Sequence, residues 1–248
     1  MLTGITGTVL NAVGILIGSL LGLMLSRQFS APSQLAWRGV MGIVTIIIGL
    51  RLAWTGLNGS SLQILRGLVV LVLALMAGRL TGRLLHIQKG LNRLGQYAGG
   101  RFAQVRRDDP NRFNEGFVVC AVLFCAGPLG IIGAVQDGLM GNWQPLAVKM
   151  VMDGLAAMGF VTVYGSAGVA LSAVPVFVYQ GTITLLVHRL EPFLQQNHLL
   201  DSVNAVSGML VFCVAMVILE LKKIELGDYL PSLAMAPLIT WLMRMQIH

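Results

Sequence analysis

Long apolar stretches separated by short polar ones recur along the whole chain, over residues 3–25, 36–56, 64–85, 117–135, 145–163, 168–187, 203–220 and 229–243. A helix that crosses a bilayer needs about 20 mainly apolar residues. The pattern therefore predicts an all-α, polytopic transmembrane helical bundle of about eight spans, forming a single integral membrane domain over 1–248, with some helices broken or short. The last run is short and holds Pro231 and Pro237, and only residues 164–167 separate the fifth run from the sixth. Seven spans, or a re-entrant segment, are the alternatives.

Composition agrees with this pattern. Hydrophobic residues make up 56% of the 248 and charged ones 11%, too little polar surface to clothe a soluble globule of this size. No basic stretch precedes the first run and no small-residue cleavage signal follows it, so that run is expected to remain as a helix. Cys120, Cys125 and Cys213 all fall inside predicted spans, which favours small apolar packing over a disulfide framework or a metal site.

Charge supplies an orientation. Of the 17 basic residues, eight (Arg79, Arg83, Lys89, Arg93, Arg101, Arg106, Arg107 and Arg112) lie in or beside the linker over 86–114, between spans three and four. The positive-inside rule makes that linker cytoplasmic, together with Arg27, Arg38, Lys222 and Lys223, and puts both termini outside. Trp37, Trp54, Trp143 and Trp241 near predicted span ends suit interfacial anchoring. Arg51, Arg66, Arg189 and Arg244, at the outer boundary, run against the rule. The net charge of +7 thus points to anionic lipid beside the linker rather than to nucleic acid. Leu84, Ile87, Leu91 and Leu94 recur there at helical spacing, so an interfacial helix competes with a plain solvated connector.

Helices in lipid gain little from hydrophobic association and are held by close contact through small residues. Gly14, Gly18 and Gly22 repeat every four positions in the first run, as do Gly78 and Gly82 in the third, giving smooth faces for packing within one chain or in a homo-oligomer. Asn11-Ala12-Val13 returns as Asn204-Ala205-Val206, a faint sign of a parallel duplication. In the fourth run Gly127 and Pro128 stand near mid-bilayer, where proline removes a backbone donor and breaks or kinks the helix. Breaks of this kind in transporters present backbone groups to solutes.

The sharpest chemical signal is Lys149 with Asp153, four residues apart in the fifth run and hence on one helix face. Ionisable residues at membrane depth usually face a bundle interior or a watery cavity. In the predicted topology Asn11, Asp153 and Gln180 come to similar depth in the outer half, with Gln136, Asp137 and Asn204 nearer the outer mouth. The candidate solute- or ion-binding residues are Asn11, Pro128, Gln136, Asp137, Lys149, Asp153, Gln180 and Asn204. Mutual neutralisation of Lys149 and Asp153, and interhelical hydrogen bonding of the amides, are the structural alternatives.

The chain resembles the YqgA/YdfK family, uncharacterised bacterial inner-membrane proteins described as candidate transporters. The resemblance spans nearly the whole chain: Asn11-Ala12-Val13-Gly14, then Cys125-Ala126-Gly127-Pro128 with Gly133 and Gln136-Asp137-Gly138, then Lys149 with Asp153-Gly154, Tyr179-Gln180-Gly181, Leu230-Pro231 and Ala236-Pro237. It implies multi-pass residence in the inner membrane and names no substrate.

A secondary transporter or channel-like protein for a small solute or ion is the first expectation. No nucleotide-binding loop or other cofactor motif is present. An enzyme is disfavoured: Ser166, in Gly165-Ser166-Ala167-Gly168, has no base placed for it, because His86, His188, His198 and His248 lie outside the predicted spans or at their ends. A membrane scaffold or assembly protein without transport activity is the remaining alternative.

Overall fold

The structure, a computed structural model, describes residues 4–25, 30–104 and 112–245. Arg27, Arg106, Arg107 and His248, as well as the Arg112 side chain, lie outside what is described. Among the described residues all regular structure is helical: α1 (Thr6–Leu25), α2 (Ala31–Gly56), α3 (Ser61–Leu84), α4 (Ile87–Gln104), α5 (Arg112–Ala126), α6 (Pro128–Met140), α7 (Gln144–Tyr164), α8 (Ser166–Leu171), α9 (Ala173–His188), α10 (Glu191–Gln196), α11 (Leu200–Ile218), α12 (Leu226–Tyr229) and α13 (Ser232–Met245).

By length and composition six helical segments can cross a membrane: α1, Leu35–Gly56 of α2, α3, α7, α8 with α9 (Ser166–His188), and α11. The pair α5 and α6 makes a seventh if its two halves, bent by 63° at Gly127, form one span. The fourth predicted run, 117–135, thus extends in both directions and splits where proline starts a new helix. At 14 residues α13 is about 21 Å long, short of a hydrocarbon core of about 30 Å. It packs antiparallel along α3. Ser232 at its start lies against Gly78 near the end of α3, and Arg244 at its end donates to the Asn197 and His198 carbonyls beyond α10.

Contacts fix the helix directions. Along α1, Gly7 lies by Leu146, Gly14 by Met150, Gly18 by Gly154 and Gly22 by Met158, so α1 and α7 run parallel. Along α2, Gly42 lies by Leu219, Gly49 by Phe212 and Gly56 by Ala205, so α2 and α11 run antiparallel. These two pairs form the most extensive interhelical contacts in the bundle. The glycines are required there because a Cβ at Gly18 would stand 2.1 Å from the Gly154 carbonyl oxygen, and one at Gly208 would stand 2.2 Å from the Ala53 nitrogen.

The described part of the linker before residue 105 is helical. Its helix, α4, packs on α5, α12 and α3, and Gln88 and Asp228 clasp each other's segments: the Gln88 N–H donates to Asp228 Oδ1 at 2.9 Å, and Gln88 Oε1 accepts from the Gly227 N–H at 2.7 Å. Leu84, Leu94 and Tyr97 remain exposed among Arg83, Lys89 and Arg93. At this basic end of the molecule Arg38 pairs with Glu220, Arg83 with Glu225 and Arg101 with Glu115.

Two apolar cores result. One gathers side chains of α3, α6, α7, α11, α12 and α13 around Leu210 and Val211, and the other joins α1, α5, α7, α8 and α9 around Ile15 and Val119, with Ala98 of α4. The large exposed hydrophobics of α1, α2 and α3, such as Leu20, Ile47 and Val72, face outward, as lipid contact requires.

Candidate functional site

Helix α7 begins with Pro145 in its first turn, where a missing N–H does no harm, and meets α1 through Gly154. That close approach tucks the polar face of α7 against α1 and the broken α5–α6 segment. Lys149 Nζ donates to both Asp153 oxygens, at 2.9 Å and 2.7 Å, with side-chain exposures of only 6% and 11%. Burial on this scale desolvates both charges, so each depends on the other and on further hydrogen bonds.

Neighbouring helices bring polar side chains close by. Asn11 of α1 is fully buried, and its Nδ2 donates to Gln180 Oε1 of α9 at 3.2 Å. Asn11 Oδ1 and Gln180 Nε2 then have no partner, although both side chains are sealed from the surface. Pro128 opens α6 beside this cluster. A Cβ at Gly127 would lie 3.7 Å from Lys149 Nζ, and one at Gly130 would lie 3.1 Å from Lys149 Cε and 3.2 Å from Gln180 Nε2. The first turn of α6 thus lies beside Lys149 and Gln180.

Of the eight residues singled out from sequence, Asn11, Pro128, Lys149, Asp153 and Gln180 meet here. Gln136 and Asn204 meet elsewhere: Gln136 Nε2 donates to Asn204 Oδ1 at 3.4 Å, and both line an open recess of about 410 Å³ with Arg51, Asn142 and Trp143. Asp137 lies at the first turn of α1. It is fully buried, and its Oδ2 accepts from the Gly7 N–H at 2.8 Å and the Thr8 N–H at 3.3 Å, serving as the N-terminal cap that α1 lacks in its own sequence. Gly141 (φ 62°) ends α6 just beyond, with Gly141 N–H bonded to the Asp137 carbonyl and Asn142 N–H to that of Gln136.

Thr8 and Thr184 escaped the sequence reading. Their hydroxyls lie 3.3 Å apart in the interior, and Thr184 also donates to the Ala134 carbonyl. Threonine is common in membrane helices and nothing in its spacing marks these two. Asn11-Ala12-Val13 and Asn204-Ala205-Val206 occupy different settings, one on a helix paired in parallel with α7, the other on a helix paired antiparallel with α2.

Comparison with known proteins agrees with the membrane architecture. The chain is 26% identical over 238 residues, 96% of both chains, to an uncharacterized membrane protein, YdfK, of Bacillus subtilis (strain 168). It is 28% identical over 233 residues, 94% of both chains, to an uncharacterized protein, YqgA, of Escherichia coli (strain K12). No solved structure matches. Residues 6–241 match the model of the family described as "Protein of unknown function (DUF554)", and the chain belongs to that family.

Proposed function

We propose that the protein is a secondary transporter or channel-like protein for a small solute or ion, residing in the bacterial inner membrane with its basic end in the cytoplasm. One observation carries the reading: a buried Lys149–Asp153 pair faces the start of a half-helix in a broken span, beside buried polar atoms without partners. A pair that only glued helices together would have its surroundings saturated, because an unmet buried polar atom costs about 1–3 kcal/mol. Broken helices whose ends meet near mid-membrane are the usual way for polar backbone to reach a transported solute. The exposed leucines of α4 among Arg83, Lys89 and Arg93 suit anionic lipid on the cytoplasmic leaflet.

The test uses the doubly neutral variant Lys149→Met with Asp153→Leu, since replacing a buried pair by apolar residues is often neutral or stabilising by about 1–4 kcal/mol. Cells lacking the protein, cells overproducing it and cells overproducing the variant are compared by metabolite analysis of cytoplasm and medium. The wild type is expected to redistribute at least one solute, and the variant, at equal membrane abundance, is expected to leave it where it was. A variant as active as the wild type would make the pair structural and favour the scaffold reading.

A further inference from the structure

We infer that the cluster at the start of α6 takes a small zwitterion of the α-amino acid class, an inference that rests on reading this cluster as the solute site. The site carries one positive and one negative charge, and Lys149 already spends its ammonium on both oxygens of Asp153. A bare anion bound to Lys149 would displace that carboxylate and leave it buried and uncompensated, and a bare cation on Asp153 would strand Lys149 in the same way. A zwitterion avoids both penalties. Laid alongside the pair, carboxylate toward Lys149 and ammonium toward Asp153, it gives each a new partner and adds no net charge to the interior.

The unpartnered atoms match in kind and number. Asn11 Nδ2 is taken by Gln180 Oε1, and Asn11 Oδ1 is a buried acceptor without a partner among the described residues. Gln180 Nε2 is the free donor of this cluster among the described residues, and it lies beside Gly130 in the first turn of α6, next to Lys149. The donors (Gln180 Nε2, Lys149 Nζ and the positive end of α6) converge where a substrate carboxylate would sit. The acceptors, Asp153 and Asn11 Oδ1, suit its ammonium. The two sets are one hydrogen bond apart, the separation of the charges in an α-amino acid. The room beside Gly130 is narrow, since a Cβ there would already lie 3.1 Å from Lys149 Cε and 3.2 Å from Gln180 Nε2, so a ligand enters only as α6 and Lys149 part, and a small substituent asks least of that movement.

The experiment measures thermal unfolding of the purified full chain in detergent with each standard amino acid in turn, and with propionate and ethylamine as single-charge controls. Small amino acids such as glycine, alanine and serine are expected to raise the unfolding temperature, while propionate and ethylamine at the same concentration leave it unchanged. Gln180→Met keeps the chain length and removes the free donor, and is expected to weaken binding by about tenfold or more, the order for one hydrogen bond to a charged group. The inference is overturned if no amino acid stabilises the wild type, or if either control does so as well as the amino acids. Solute movement that depends on Lys149 and Asp153, without amino acid binding, would overturn this inference and spare the proposed function. Binding without movement of any solute would do the reverse.

Discussion

The α1–α7 and α2–α11 pairs use the same device, glycine faces that bring backbones into contact, yet the buried ion pair lies at the first of them. Around α2–α11 the interior is mainly apolar, built on Leu210, Val211 and Val214, with the small hydroxyls of Thr45 and Ser207 buried and Asn204 toward the open recess. Around α1–α7 the same closeness holds Asn11 against the Lys149–Asp153 pair and the start of α6. Close packing is therefore a structural property shared by both halves. What sets the α1–α7 side apart is the buried ion pair, held among unpartnered amide atoms beside the start of α6.

The comparison is broken most sharply at the ion pair. Lys149→Met alone leaves Asp153 buried without its cation and is expected to cost about 3–5 kcal/mol. That change should read out as loss of the monodisperse peak in detergent, with recovery when Asp153→Leu is added. Next come the two crossing points: Gly18→Ala in α1 and Gly208→Ala in α11 each force a methyl into backbone, with an expected loss of about 1–3 kcal/mol visible as a lower unfolding temperature. Tolerance of one but not the other would show that the two pairs are not equivalent supports. Asp137→Ala removes the carboxylate that caps α1 and is expected to cost about 0.5–2 kcal/mol, with faster hydrogen exchange at the first turn of α1. The smallest effect belongs to Gly39→Ala in α2 and Gly159→Ala in α7, where a Cβ meets nothing within 4 Å. Both should leave thermal stability unchanged or raise it by up to about 1 kcal/mol, because alanine is the better helix former. A marked loss at either would reveal a neighbour, such as a second copy of the chain, covering that face.

Much of the architecture follows from local pattern. Apolar length alone locates the long helices, Gly127-Pro128 marks the break between α5 and α6, and the four-residue spacing of Lys149 and Asp153 places them on one face. These features are legible because they depend on residues adjacent in the chain or one turn apart. Span ends were less so: the fourth run continues to Met140 because Asp137 and Gln136, polar in sequence, are buried against α1 and α11. Composition treats a buried aspartate and a loop aspartate alike.

By itself the sequence determined that this is a helical membrane protein, where its helix is broken and which charges lie at membrane depth, since transfer from water to hydrocarbon acts on each segment separately. Only the tertiary structure decided that Asn11 joins Gln180, that Asp137 caps α1, and that Lys149 reaches the first turn of α6. Those contacts join residues far apart in the chain, and they depend on which glycine faces meet. That choice is made by side-chain shape between whole helices, which no single segment encodes.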